Sequence, residues 1–141
     1  MNLDETMKAV RSCADQMDAK YGQQVFDEWV VVSLLHNQAL ILGYLGPRNE
    51  ALLKSFADDL APLRAAVRDG RYQVGDFEFA RHGTGTKFEA IMTLGDGVYL
   101  LCNNTQSTMD EIAKNPKWLS AQVPFAELGD KVRSSPVTPA D

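Results

Sequence analysis

Two stretches of mostly apolar residues decide the fold: Trp29-Val-Val-Val-Ser-Leu-Leu35 and Val98-Tyr-Leu-Leu-Cys102. Both are rich in β-branched and aromatic residues, and neither alternates regularly with polar ones, which is typical of strands that are covered on both faces. We therefore expect these two strands to be neighbours at the centre of one sheet.

Three more strands are predicted around this pair. Leu40–Leu45 follows a polar break at residues 36–38 and pairs with the first stretch as an antiparallel hairpin. Residues 71–81 predict a strand in which a glycine bulge at Gly75 aims the later side chains at the same core face as the earlier ones. Residues 88–94 alternate between apolar and polar side chains, and a tight turn joins them to the second central strand.

Helices are predicted before and between these strands. Residues 3–21 carry apolar side chains at a spacing of three and four, and Gly22 suits the end of this helix. Asn2 or Asp4 can cap its start. A second helix is predicted over residues 50–67, where Pro62 either kinks the helix or ends it.

A last short helix and an irregular segment complete the chain. Thr108 and Glu111 form a capping box that opens the helix. Residues 118–128 are expected to be irregular because Pro124 and Gly129 interrupt the apolar pattern. The tail from residue 133 to 141 has no apolar pattern and is predicted to be disordered.

The element order therefore is helix, two strands, helix, three strands, helix. It predicts an α/β protein of the α+β sandwich type, with a central five-stranded, mostly antiparallel sheet. The length of 141 residues fits one domain, which we assign to residues 1–132. The two cysteines, Cys13 and Cys102, are too few for a disulfide framework and are expected to be buried thiols.

Composition excludes several classes of function. The chain has 14 Lys and Arg against 19 Asp and Glu, a net charge of −5, which disfavours a general nucleic-acid-binding protein. The longest apolar stretch is shorter than the ~20 residues of a membrane span. Acidic residues interrupt any apolar region near the N-terminus, so no secretion signal is predicted. We expect a cytoplasmic protein.

The order and spacing of the elements resemble the roadblock family, whose fold is that of the dynein light-chain roadblock proteins and is profilin-like. The resemblance is carried by Trp29–Leu35 with Leu40–Leu45, by the helix from Glu50, and by Val98–Cys102 running through residues 103–105 into the final helix. It implies a homodimer formed through sheet and helix contacts, which serves as a platform or regulator for small Ras-like GTPases or for larger assemblies, with no catalytic residues. The chain departs from the pattern at Pro62, at Gly75 and in its longer C-terminal segment.

The loop His82-Gly-Thr-Gly-Thr-Lys87 is the strongest candidate for an anion site. Glycine lets backbone N–H groups approach an anion, and four side chains could assist: Arg81, Thr84, Thr86 and Lys87. A phosphate loop normally leads into a helix, whereas this one leads into a strand. A plain hairpin is therefore the favoured reading.

Other candidates for chemistry are weaker. His36 and His82 have no neighbouring ligand at metal-binding spacing, so we predict no metal and no cofactor. Cys102 could act as a nucleophile only with one of these histidines, and no local motif supports that. Asp76 and Glu78 share one strand face and could act as acid and base, although a solvated strand face explains them more simply. Residues 103–105 fit the N-glycosylation pattern but favour a turn.

Candidate partner-binding residues lie near both ends of the chain. Trp118 and Phe125 either cap the core, the favoured reading, or anchor a partner. Met7, Val10 and Met17 lie on the apolar stripe of the first helix, which either packs on its own sheet or faces a partner.

The first functional hypothesis is a non-enzymatic protein-interaction module, homodimeric, with a small GTPase or another protein as partner. The second is a small-ligand sensor or enzyme with a pocket under the helix at residues 50–67, whose polar contacts come from Tyr44, Tyr72, Tyr99 and Arg81. The third is a chaperone-like acidic dimer that holds an unfolded segment on an open sheet face.

Overall fold

The computed structural model of the chain describes residues 1–34, 40–47, 73–79 and 88–138. The predicted helix at residues 50–67, Pro62, the break at residues 36–38 and the loop at residues 82–87 lie outside these ranges.

Five strands form one antiparallel sheet, as the sequence predicts. They are β1 (Glu28–Ser33), β2 (Leu40–Leu45), β3 (Phe77–Phe79), β4 (Ala90–Gly95) and β5 (Val98–Asn103), in the spatial order β2-β1-β5-β4-β3. The two most apolar strands, β1 and β5, are direct neighbours and pair from Glu28–Asn103 to Ser33–Val98. The expected central pair is therefore confirmed, and the chain has the predicted α+β architecture.

Four helices lie within the described ranges: α1 (Leu3–Tyr21), α2 (Met109–Ala113), α3 (Trp118–Ala121) and α4 (Val123–Ser134). The side chain of Asn2 caps α1 by accepting a hydrogen bond from the Glu5 N–H at 2.8 Å. Gly22 ends α1 with a φ of 89°, a left-handed conformation that glycine adopts without strain. The Thr108 side chain caps α2 by accepting from the Glu111 N–H, which is one of the two bonds of the predicted capping box.

The expectation of irregular structure at residues 118–128 is wrong, because α3 and α4 occupy this segment. Pro124 lies in the first turn of α4, where a helix does not need the N–H that proline lacks. Gly129 lies in the helix interior because the backbone of Gly75 packs against it: a Cβ on Gly129 would be 2.7 Å from the Gly75 carbonyl oxygen. A close helix contact therefore explains the residue that looked like a break.

Disorder from residue 133 onward is also wrong for residues 133–138. Arg133 and Ser134 are the last residues of α4, and the buried side chain of Val137 packs into the core. The Val137 N–H donates to the Leu94 carbonyl at 2.9 Å, and the terminal ammonium of Met1 donates to the Pro136 carbonyl at 2.8 Å. The tail is held by one buried valine and by backbone hydrogen bonds. Neither of these produces an apolar pattern in the sequence.

The predicted strand at residues 71–81 is shorter than expected within the described ranges. Residues 74 and 75 form a turn, with Gly75 at a φ of 89°, and β3 begins only at Phe77. The consequence expected of Gly75 is nevertheless observed, since Val74, Phe77 and Phe79 all pack against the same core.

Helices of the described ranges pack on one face of the sheet, which we call the helix face. Its core contains Val31, Met92, Leu100 and Phe125 together with the apolar stripe of α1. The opposite face, here the far face, carries a second buried cluster: Val30, Val32, Phe88, Tyr99 and Leu101. Because residues of both faces are buried, β1 and β5 have no room for alternating polar side chains.

Candidate interaction surface

Both thiols are enclosed in the core of the helix face. Cys13 lies on α1 and Cys102 on β5, and both are buried, as the sequence predicts. Burial, together with the smaller effects of the Glu127 and Asp18 carboxylates, raises the pKa of the Cys13 thiol to about 12. Burial also raises the pKa of the Cys102 thiol well above its ordinary value. Since the thiolate is the nucleophilic form, these environments suit packing rather than nucleophilic catalysis.

Asp76 and Glu78, the candidate acid–base pair, do not act as one group. Asp76 lies in the turn before β3, where its carboxylate accepts a hydrogen bond from the Gln73 N–H at 3.1 Å. It also lies 3.7 Å from the Arg133 guanidinium in an exposed ion pair. Glu78 is an exposed strand residue. The solvated-face reading fits both positions.

The segment after β5 is a hydrogen-bonded turn. The side-chain amide of Asn104 donates to the Val25 carbonyl at 2.6 Å, and its oxygen accepts from two following N–H groups. The Asp27 carboxylate accepts from both the N–H and the hydroxyl of Thr105. These bonds tie the end of β5 to the start of β1, which explains the polar residues at 103–105 by local structure.

Four of the predicted partner-binding residues lie in the core instead. Val10, Met17 and Phe125 are fully buried, and Trp118 is nearly so. The Phe125 ring contacts the rings of Phe77 and Phe79, and the Trp118 ring stands edge-on to that of Phe79 at a centroid distance of 5.0 Å. The alternative in which these four anchor a partner is wrong, because no partner could reach them without repacking the core. The favoured interpretation, in which Trp118 and Phe125 cap the core, agrees with their burial.

Met7 differs from these four because it is only partly buried. It lies at the margin of the core of the helix face, with its thioether over Gly43 of β2. Met7 is thus the one predicted partner-binding residue that also reaches the surface.

The four side chains proposed for an anion site, Arg81, Thr84, Thr86 and Lys87, lie outside the described residues, as do His36, His82 and Tyr72. Their predicted roles remain predictions. Within the described ranges, no group of three or more His, Cys, Asp or Glu residues could hold a metal ion.

Exposed large apolar side chains occur at two places that the sequence analysis did not single out. Leu119 on α3 is 79% exposed and Val123 at the start of α4 is 43% exposed. Leu40, the first residue of β2, is 53% exposed. In the sequence, Leu119 and Val123 belong to the same apolar run as Trp118 and Phe125. Their positions around the helix axis decide which of these residues point inward and which outward, and Pro124 hides the helices from sequence analysis.

Polar groups are buried on the far face of the sheet. The Tyr44 hydroxyl donates to the buried Glu28 carboxylate at 2.8 Å. Thr93 lies opposite Tyr99 in the β4–β5 register, and its hydroxyl is buried without a hydrogen-bond partner in the structure as described. The chaperone hypothesis requires an open sheet face, and this premise is wrong because Val30, Val32 and Leu101 are fully buried on the far face.

Comparison with known proteins identifies no relative. No family model matches the chain, and neither a curated protein nor a solved structure matches it. No helix in the described part of the chain has the length and apolar character to cross a membrane.

Proposed function

We propose that the protein is a non-enzymatic interaction module that forms a homodimer and binds a protein partner, as the resemblance to roadblock-type platforms implies. The observation that carries the proposal is the exposure of large apolar side chains on ordered elements, at Leu40, Leu119 and Val123. Exposed apolar patches on a folded protein favour contact with another protein.

The chemistry of the interior supports the same proposal. The thiols of Cys13 and Cys102 are buried with raised pKa values. The carboxylates of Asp18 and Glu89 accept hydrogen bonds from the N–H groups of Val25 and Met109, which fixes a loop and a helix start. These four groups serve packing and local structure, which supports the proposal.

The test has two parts. Light scattering during gel filtration at micromolar concentration should give twice the mass of the chain, and a strict monomer would contradict the dimer. Purified Ras-like GTPases, loaded with GDP or a GTP analogue, should then be titrated calorimetrically into the protein. We expect binding that Leu119→Asp weakens at least tenfold, while an exposed polar control such as Ser120→Asp leaves it unchanged. Binding to neither nucleotide state would contradict the GTPase partner.

A second candidate, a sensor of a small polar ligand, is favoured by the hydroxyl of Thr93. A buried hydroxyl without a partner costs about 1–3 kcal/mol. A ligand would recover that cost if it displaced the side chains that cover Thr93 and accepted its hydrogen bond. In a thermal-shift screen of nucleotides and metabolites, a ligand of this kind should raise the melting temperature of the wild type but not of Thr93→Val. If no compound shifts the melting temperature, or if the shift survives in Thr93→Val, this candidate is contradicted.

A further inference from the structure

Strand β2 is an outer strand of the sheet with no charged side chain. Among the strands of the described residues, in the spatial order β2-β1-β5-β4-β3, its only neighbour is β1. Its residues read Leu-Ile-Leu-Gly-Tyr-Leu, and all are at least partly exposed. Outer strands are usually protected by lysine, by proline or by a covering element, because their backbone can pair with another chain. Within its six residues, β2 lacks the first two of these protections.

A bulge sets the order in which the side chains of β2 point to the two faces. The register with β1 shifts between Val31 and Val32, so that Gly43 stands opposite Val31 and Ile41 opposite Val32. Leu42 is the extra residue, and it packs with the core of the helix face. Gly43 points the same way, because a Cβ on it would meet Met7 of α1.

The bulge makes this order symmetric. Ile41 and Tyr44 pack with the far-face cluster, whereas Leu42 and Leu45 pack with the helix face. Leu40 pairs with Ser33, which alternation places on the helix face. Residues 40, 42, 43 and 45 therefore point to the helix face, and residues 41 and 44 point to the far face. This order is the same whether the strand is followed from residue 40 to 45 or from 45 to 40.

Residues directly opposite each other in an antiparallel pair share one face of the sheet. One register aligns all six residues of β2 with a second copy, and it places residue 40 opposite 45, 41 opposite 44 and 42 opposite 43. In a regular strand of even length this register would join opposite faces. In β2 the bulge places the two residues of every opposed pair on the same face of the sheet, so the strand can pair with a second copy of itself.

The side chains near the centre of this pairing also fit a second copy. Leu42 stands opposite Gly43 of the second copy, where the thioether of Met7 already fills the space above the glycine, so the leucine would meet an apolar side chain. Met7 of α1, which lies over Gly43, extends the apolar surface toward the same centre. No like charges oppose each other, because the strand carries none.

We propose that two copies of the chain pair antiparallel through β2, about a two-fold axis between Leu42 and Gly43, to form one continuous sheet. This inference rests on the proposed homodimer and names its interface. The interface uses Met7 and the apolar side chains of β2, and it leaves the exposed side chains of Leu119 and Val123 free for a different partner.

Cysteine cross-linking tests the register directly. In the proposed pairing, two copies of residue 42 lie diagonally across the axis at a Cα distance of ~6 Å, within the range of a disulfide. Two copies of residue 40 lie about five residues apart along the strand, roughly 17 Å. Leu42→Cys should therefore form a covalent dimer under mild oxidation, and Leu40→Cys should not, although Leu40 is the more exposed residue. The wild type, whose thiols are buried, is the control for background cross-linking.

The outcomes separate the two proposals. Cross-linking of Leu42→Cys alone supports the β2 interface. If Leu40→Cys cross-links equally well, or if neither folded variant cross-links while light scattering shows a dimer, the β2 interface is overturned and the homodimer stands. A monomeric wild type overturns both. Should Leu42→Cys fail to fold, a mixture of Leu40→Cys and Leu45→Cys replaces it. That mixture must give covalent heterodimers, and their absence overturns the β2 interface.

Discussion

Replacing Gly129 by alanine should destabilise the protein, against the usual rule for helices. Gly129 lies inside α4, where exchange of glycine for alanine normally gains about 0.5–1 kcal/mol from helix propensity. A Cβ at this position, however, would lie 2.7 Å from the Gly75 carbonyl oxygen and 3.6 Å from Met92 and Phe77. The first of these atoms is backbone, so it cannot rotate away as a flexible side chain could.

The size of the effect follows from these two opposing contributions. Overpacking of a closely packed interior costs about 1–3 kcal/mol, and the gain in propensity offsets part of it. We expect a net loss of about 1–2 kcal/mol in the free energy of unfolding. The Gly75 carbonyl also accepts a hydrogen bond from the Arg133 guanidinium at 3.1 Å, so any displacement of this turn disturbs a second contact.

Urea denaturation followed by circular dichroism measures this loss. Ala126→Gly in the same helix is the matched control, and it should lose ~1 kcal/mol from propensity alone. If Gly129→Ala is as stable as the wild type or more stable, while Ala126→Gly behaves normally, the contact between α4 and the Gly75 turn is not as close as described and the reasoning fails.

Three further predictions concern burial. Trp118→Ala should lose about 3–5 kcal/mol of stability and Leu119→Ala no more than ~0.5 kcal/mol, as measured by urea denaturation; equal losses would contradict the assignment of one side chain to the core and the next to the surface. Cys13 and Cys102 should react with a thiol reagent at pH 8 only after addition of denaturant, and fast labelling of the native protein would contradict their burial. Burial raises the pKa of the Glu89 carboxyl in the folded protein, so the folded state binds this proton more tightly than the unfolded state does. The stability gained in this way is complete below the unfolded-state pKa and is lost as the pH rises through the folded-state pKa. Relative to the wild type, Glu89→Gln should therefore become more stable between pH 4 and pH 7, and a constant difference in unfolding free energy over this range would contradict the prediction.

The central sheet could be predicted from sequence because its signal is local and strong. In β1 and β5, apolar residues follow one another without polar residues between them, as at Val30, Val31 and Val32, so neither face of these strands can be exposed to water. The structure pairs these two strands directly. The caps at Asn2 and Thr108 are equally predictable, because each consists of one side chain and an N–H three residues further along the chain.

The errors arose where a long-range contact decides the local structure. The sequence predicts a break at Gly129, but the close approach of the Gly75 backbone, more than fifty residues earlier in the chain, requires the glycine there. The sequence also predicts a disordered tail around Val137, but the Leu94 carbonyl accepts a hydrogen bond from its N–H. A glycine and a lone valine carry no periodic pattern, so the sequence alone gives them no structural partner.

The same limit applies to the interaction surface. The sequence shows that β2 is apolar, but a run of six apolar residues fits a covered strand as well as an outer one. Its place at the edge depends on β1 pairing with β5 on the other side, and its symmetric order of faces depends on the bulge at Leu42. Without that extra residue, the six-residue strand would present opposite faces to a second copy in the register that aligns every position. The capacity of β2 to pair with itself is thus a property of one inserted residue.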